Sequence, residues 1–512
     1  MGRQEELFEA ELTGKYDSFS REDLIALHKI DRRAIEQYRQ LVKELQSLKA
    51  ELEEKVFLIN DQRIWLRSEL FGKSSEKSPK LASAEPDEKS PKSKSKKPRV
   101  QCLSDRYPNL PRIRKDVGFE TIPDCGACGN KLCDSGMTED SEFLTVIPKQ
   151  YFIVEQKRLK YRCQKCHGDI QTAPCPPRIT AGGSYSDAMV LDVAMSKYCD
   201  LIPIGRYARM AERSGVPNLP PQSLIEATHH LADFLKPTYN LLRQEIRTEK
   251  VLHADETPHR MLEGDEKSRW YLWGFSSKRT SYFEAHDTRS GDVASNFLKE
   301  SNCQFLMSDV YSGYGKAIRD ANLEREQKAL PKIQGIYCNA HARRRFKEAT
   351  ERFPHDAQFF IDEYKKIYQL EATLIDNPPE QALDIRKTMG PHFNAMRLRA
   401  IELVPIYPEK SAIGKALAYL LKNFKEFTAF ISNAELPIDN NPQERLLRNP
   451  VIGRKTWYGT HSKRGAETMT VLFSITESCK LNHVNPREFL KQLVEDIQQG
   501  KAPYTPASFV TH

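Results

Sequence analysis

Two short apolar runs in this chain each stop on an aspartate. Val251-Leu252-His253-Ala254 ends at Asp255, and Phe305-Leu306-Met307-Ser308 ends at Asp309. Two carboxylates held close repel unless cations lie between them. Such a pair is what a divalent-metal phosphoryl-transfer site needs, because magnesium is held by carboxylate oxygens. A third carboxylate, Glu444, stands far downstream in Ile438-Asp439-Asn440-Asn441-Pro442-Gln443-Glu444. There Asp439 to Asn441 supply cap residues, Pro442 suits a first helical turn, and Glu444 falls in that turn. Asp439 is its rival as the third acid. Each acid also has a plainer reading, since Asp favours turns and a first-turn Glu answers the helix dipole.

The elements between the aspartates decide whether they can meet. Arg269-Trp270-Tyr271-Leu272-Trp273-Gly274-Phe275 and Thr280-Ser281-Tyr282-Phe283-Glu284-Ala285 are aromatic-rich runs bounded by polar turns. They read as strands, and Asp292 to Glu300 reads as a short helix. The order strand, strand, strand, helix, strand lets the first and last strands lie parallel and adjacent. Asp255 and Asp309 then share the strands' carboxyl ends, where open α/β sheets build sites. Strand alternation aims Glu256 at the opposite face from Asp255.

The 512 residues exceed one ordinary core, so several domains are expected. The net charge of +8 permits nucleic-acid binding. No apolar run of about 18 residues exists, so no membrane partner is expected. Met1 to Glu6 lacks a signal-peptide core, which makes a cytoplasmic location the expectation.

Ser20 to Leu70 holds no Gly or Pro. Tyr38, Leu41, Leu45, Leu48 and Leu52 recur at steps of three and four, a coiled-coil seam. It fits either a homodimer helix over 20–72 or a long helix folded back on its own chain. Residues 73–115 begin as a Ser-, Lys- and Pro-rich basic linker, which either touches phosphates or is a plain tether. Cys125-Gly126-Ala127-Cys128 and Cys163-Gln164-Lys165-Cys166 are two knuckles whose four thiolates suit a closed, structural zinc in a small zinc-ribbon-like module over 116–177. Phe143 to Arg162 alternates like a hairpin between them, and Cys133, His167 and Cys175 are substitute ligands. Ile204 to Phe234, within a helical module over 184–248, resembles helix-turn-helix; DNA recognition and plain helix packing both fit. His341, Arg343 and Arg344 open a basic helix able to meet phosphates. Residues 347–435 read as a helical insertion. Arg448, Arg454, Lys455, Lys463 and Arg464 interleave with aromatics, as on a DNA-facing surface.

Taken together, His253-Ala254-Asp255-Glu256-Thr257, Ser308-Asp309-Val310-Tyr311-Ser312-Gly313-Tyr314, Ala340-His341-Ala342-Arg343-Arg344-Arg345-Phe346, and Asp439-Asn440-Asn441 through Glu444-Arg445 resemble the transposases of insertion sequence 66 and its relatives. The tail from Gly453 to Pro486 and the zipper and knuckles upstream are similar too. The resemblance implies an α/β ribonuclease-H-like catalytic core, a mixed sheet over 249–346 and 436–480, closed by a C-terminal helix and tail at 481–512. It places an Asp-Asp-Glu triad on Asp255, Asp309 and Glu444, holding two Mg2+ or Mn2+ ions. It implies 3′-end cleavage and strand transfer of an insertion sequence. Its partners would be the element's terminal repeats, target DNA and accessory proteins of the same element. A structure-selective nuclease and a catalytically inactive DNA-binding regulator are the other readings of the same residues.

Overall fold

The computed structural model describes residues 20–71, 103–114, 116–133, 141–165, 168, 170–262, 268–374 and 381–509. Most of the linker read above, together with Cys166 and His167, lies outside the described residues. The chain divides into two compact units, one of residues 1–73, 158–212 and 217–512, the other of 74–157 with 213–216. Among the described residues no helix is long and apolar enough to cross a membrane.

The smaller unit is built on a tight turn. Cys125 N donates to Asn130 O at 2.6 Å and Leu132 N to Pro123 O at 3.0 Å. Between those bonds Gly129 takes φ +74°, a left-handed conformation that glycine adopts without steric cost. The hairpin expected over 143–162 does not form there, since residues 141–157 make no strand. Phe143, Val146, Ile153 and their neighbours stay exposed. Alternation makes a strand only where a partner strand and a buried face exist to receive it.

The larger unit begins with helix α1 (Arg21–Phe71), whose seam residues Tyr38, Leu41, Leu45, Leu48 and Leu52 are exposed. Farther along, Phe57 stacks on Phe353 of the same chain at 5.7 Å. A three-rung antiparallel ladder follows, β1 (Lys160–Arg162) with β2 (Ile170–Thr172). Next come α2 (Asp187–Tyr198), α3 (Ile204–Arg213), α4 (Pro221–Phe234) and α5 (Lys236–Arg247). A sheet is then built from β3 (Val251–Arg260), β4 (Arg269–Ser276), β5 (Ser281–His286), β6 (Phe305–Ser308) and β7 (Gln334–Tyr337), in spatial order β5-β4-β3-β6-β7. β3, β4 and β5 are antiparallel neighbours, while β6 and β7 run parallel to β3. This mixed sheet with surrounding helices is the α/β core that the order of elements required.

Helix α6 (Gly291–Leu298) connects β5 to β6, and α7 (Ser312–Gln327) connects β6 to β7. They approach closely where Gly291 faces Gly313, because a Cβ on Gly291 would overlap the Gly313 carbonyl. The segment 184–248 shares one apolar core with the sheet. Leu231, Leu242 and Ile246 lie in the same buried cluster as Leu252, Phe275 and Phe297. After β7, α8 (Asn339–Ala349) leads into α9 (Pro354–Thr373), α10 (Ala382–Lys387), α11 (Gly390–Leu403), α12 (Ala412–Lys422) and α13 (Phe424–Thr428). These insertion helices have a second core, built on stacked Phe346 and Phe360 and reaching Met307 and Ile336 of the sheet. The chain closes with α14 (Asn441–Trp457), α15 (Lys463–Leu481) and α16 (Pro486–Gln498).

Edge strand β5 is covered by α15, a helix buried nearly all round. Ser474 Oγ accepts from Phe283 N at 2.9 Å, and Ser478 Oγ accepts from Ser281 N at 2.9 Å and donates to Ser281 O at 3.1 Å. Tyr239 Oη donates to Phe283 O at 2.7 Å. Hydroxyls thus replace the missing neighbour strand and satisfy a buried edge. Ser474→Ala and Ser478→Ala each leave a buried N–H unpaired. Each lowers stability by about 1–3 kcal/mol, read from the urea midpoint. A loss in the range of an exposed serine substitution contradicts this account of the edge.

Candidate active site

The register His253↔Met307 between parallel β3 and β6 places Asp255 beside Asp309. Asp255 is not at the end of its own strand, because β3 continues to Arg260 against β4. Only the β6 side stops, and Asp309 follows its last residue, Ser308. Asp309 Oδ1 accepts from Tyr311 N at 3.0 Å, which turns the chain away from the sheet and into α7.

Glu444 reaches the same place from the first turn of α14. Three contacts fasten that helix start to the sheet. Asn440 Nδ2 donates to Ala254 O at 2.9 Å, and its Oδ1 lies 2.9 Å from His253 Nδ1. Asn440 N donates to Cys338 Sγ at 3.1 Å. On β4, Gly274 pairs with Asp255 and leaves room for the buried Gln443, which would overlap any Cβ there. Asn440 therefore acts as a clamp and not as the helix cap. The capping side chain is Asp439, which accepts from Asn441 N at 3.0 Å and from Tyr368 Oη at 3.1 Å. Asp439 is thereby engaged, whereas Glu444 Oε1 is buried with no hydrogen-bond partner.

Burial pushes the Asp255 carboxyl well above the usual range, and the charges of Glu256, Asp309 and Glu444 push it further. Glu256 turns to the other face of β3, where Tyr314 Oη and Arg289 donate to it. Burial raises its pKa too, with both partners opposing. Burial holds His253 below its ordinary value, so it serves as a neutral partner for Asn440.

His341, on α8, has Nδ1 3.6 Å from Glu444 Oε1. Arg344 Nη2 lies 3.7 Å from Glu444 Oε2. Arg343, Arg448 and Lys455 are exposed, and Arg454 donates to Thr257 Oγ1 at 3.3 Å, two residues beyond Asp255. Lys463 is exposed at the start of α15. Arg464 does not join this group, because it is paired with Glu226 at 2.6 Å and Asp233 at 3.2 Å on α4. That helix packs through Leu224, Ala227 and Leu231, and its His229 is buried against Thr468 at 2.6 Å. In the smaller unit the amides of Ala127 and Cys128 face Cys125 and lower its thiol pKa. Cys163 follows β1 in the larger unit.

The donors suit a hard divalent cation, being carboxylates whose charges converge on Asp255 and which include one buried oxygen without a partner. Without a cation the crowding is destabilising. Because the Asp255 pKa is raised on folding, the penalty is absent below the unfolded carboxyl pKa and grows as the pH rises above it. Asp255→Asn removes it. The metal-free variant melts higher than wild type at pH 7, by about 1 °C per kcal/mol relieved in a unit of this size. The gap closes toward about pH 4. A variant that melts no higher at pH 7, followed by scanning fluorimetry across pH, contradicts the crowding.

Residues 182–468 match the transposase IS66 family. Three proteins of Sinorhizobium fredii are similar to most of this chain, and all three are named only as uncharacterized. Protein y4hP is 24% identical over 407 residues, covering 75% of this chain and 72% of its own length. Protein y4jD is 26% identical over 390 residues, covering 73% and 75%, and y4qI is 24% identical over 406 residues, covering 77% and 74%. With more than half of its length matched, and with the matched stretch carrying all three carboxylates, the chain belongs to the transposase IS66 family.

Proposed function

We propose that this transposase-family chain cuts DNA at the 3′ ends of a mobile element and joins those ends to target DNA, by phosphoryl transfer dependent on magnesium or manganese. The observation that carries the reading is the convergence of Asp255, Asp309 and Glu444 from two parallel strands and one helix start. The antiparallel β3–β5 and parallel β6–β7 arrangement supports a ribonuclease-H-like core.

Asp255, which the charges of Asp309 and Glu444 both reach, would hold the cations together with those two acids. Two cations so held supply Lewis-acid stabilisation of the entering and leaving oxygens. Exposed Arg343, Arg344 and Arg448 lie on the helices that carry His341 and Glu444, where they can hold the phosphodiester. In cutting, water attacks phosphorus and the 3′ oxygen leaves. In joining, that 3′ hydroxyl attacks a phosphorus of the target DNA, the target strand's own 3′ oxygen leaves, and no covalent protein–DNA link is required. Cys125 and Cys128 supply thiolates to a structural zinc, which their turn and its inward amides support. The exposed seam of α1 pairs two copies, so that both element ends are cut together.

The test uses full-length protein, Mg2+ and a labelled duplex with the border sequence of its own element. Wild type nicks the 3′ end and joins it to a second duplex. Asp309→Asn and Glu444→Gln reduce both steps by about a thousandfold or more while retaining DNA binding. Nicking without joining would favour a nuclease. Full activity in either variant would contradict the carboxylate assignment.

A further inference from the structure

His341 stands outside the three carboxylates, yet the chain holds it as firmly as Glu444. The starts of α8 and α14 are stapled together. Asn339 N donates to Ile438 O at 3.2 Å, and Asn339 Nδ2 donates to Ile438 O at 3.1 Å and Phe427 O at 3.0 Å. Asn440 N donates back to Cys338 Sγ. These bonds fix His341, in the first turn of α8, against Glu444, in the first turn of α14.

Between the two side chains lies a gap. Nδ1 and Oε1 are 3.6 Å apart, beyond a sound hydrogen bond, and both atoms are buried without a hydrogen-bond partner. Leaving two such atoms dry is destabilising, by about 1–3 kcal/mol each. A divalent cation with ligand distances of about 2.1 Å places neighbouring donors roughly 3.0–3.4 Å apart and opposite donors roughly 4.2 Å apart. The observed separation falls between these. Cys338 Sγ belongs to the same cluster, within 4.8 Å of the other donor atoms, but it already accepts from Asn440 N. Glu444 Oε2 faces Arg344, which leaves Oε1 as the oxygen turned toward His341.

We infer that His341 Nδ1 is a ligand of the cation at the Glu444 side of the site, making the donor set two aspartates, a glutamate and a histidine. This rests on the metal-dependent reading above and extends it to a fourth residue and a metal preference. An imidazole nitrogen is a softer donor than a carboxylate and favours Mn2+ over Mg2+ more than oxygen ligands do. The Nδ1 ligand requires the tautomer with its proton on Nε2.

The experiment titrates metal-free full-length protein with Mn2+, reading free ion by electron paramagnetic resonance. Wild type takes up two ions. In His341→Ala, and in His341→Gln, which keeps the side chain's bulk, one ion binds at least about 10-fold more weakly and the other is unchanged. Glu444→Gln weakens the same ion. His341→Asp restores two ions, and Mg2+ displaces them more readily than from wild type. Circular dichroism melts confirm that each variant is folded. If both His341 variants bind two ions with wild-type affinity while Glu444→Gln loses one, the histidine ligand is wrong and the carboxylate site stands. If wild type binds no Mn2+, the carboxylate site and the histidine ligand both fall.

Discussion

Mutual repulsion among half-buried carboxylates is the constraint on which this structure turns. Asp255 lies where the charges of Glu256, Asp309 and Glu444 all reach it, and burial amplifies each of them. A chain free to relax would swing Glu444 into solvent. It cannot, because Asn440 ties the start of α14 to His253 and Ala254, and Gln443 fills the space left by Gly274. The sheet supplies two acids by register, and the clamp supplies the third by force. Glu256, which would add a fourth charge, is drawn to the other face by Tyr314 and Arg289. In the proposed reading, that preorganised charge is what a divalent cation would recover on binding, which would make folding strain and metal affinity two sides of one arrangement.

The surrounding elements follow from that need for rigidity. The insertion from α9 to α13 lengthens the chain between Asp309 and Glu444, yet its own core runs into Met307 and Ile336, so it braces β6 and β7. Asn339, at the start of α8, joins that helix to the segment before α14. On the other side, α15 covers β5 with serine hydroxyls where a sheet edge would otherwise be unsatisfied.

Much of this was legible in the chain. Apolar runs that stop on Asp255 and Asp309, separated by a hairpin and a helix, leave the parallel neighbours β3 and β6 as the natural topology, and the register agrees. Glu444 in a first turn was legible from Pro442 and the acids around it. Three features were hidden for physical reasons. Asn440 looks like an ordinary cap residue, and its amide's long-range bond to His253 leaves no local trace. Ser474 and Ser478 read as polar interruptions of a helix, and only the tertiary fold turns them into edge partners. Residues 184–248 carry helical periodicity on several faces, which does not reveal that Tyr239 and Leu242 share the sheet's core. Conversely, the alternation from Phe143 onward implied a hairpin, because periodicity records potential faces and not the presence of a partner.

The central claim is that Asp255, Asp309 and Glu444 are held together, half-buried, in order to hold cations. Anomalous diffraction from crystals grown in Mn2+, collected at the manganese edge, tests it most directly. The account predicts ordered manganese among these three side chains, with Asp255 touching both ions. Manganese bound only at other acidic positions, or an apo-like site at saturating Mn2+, would contradict it.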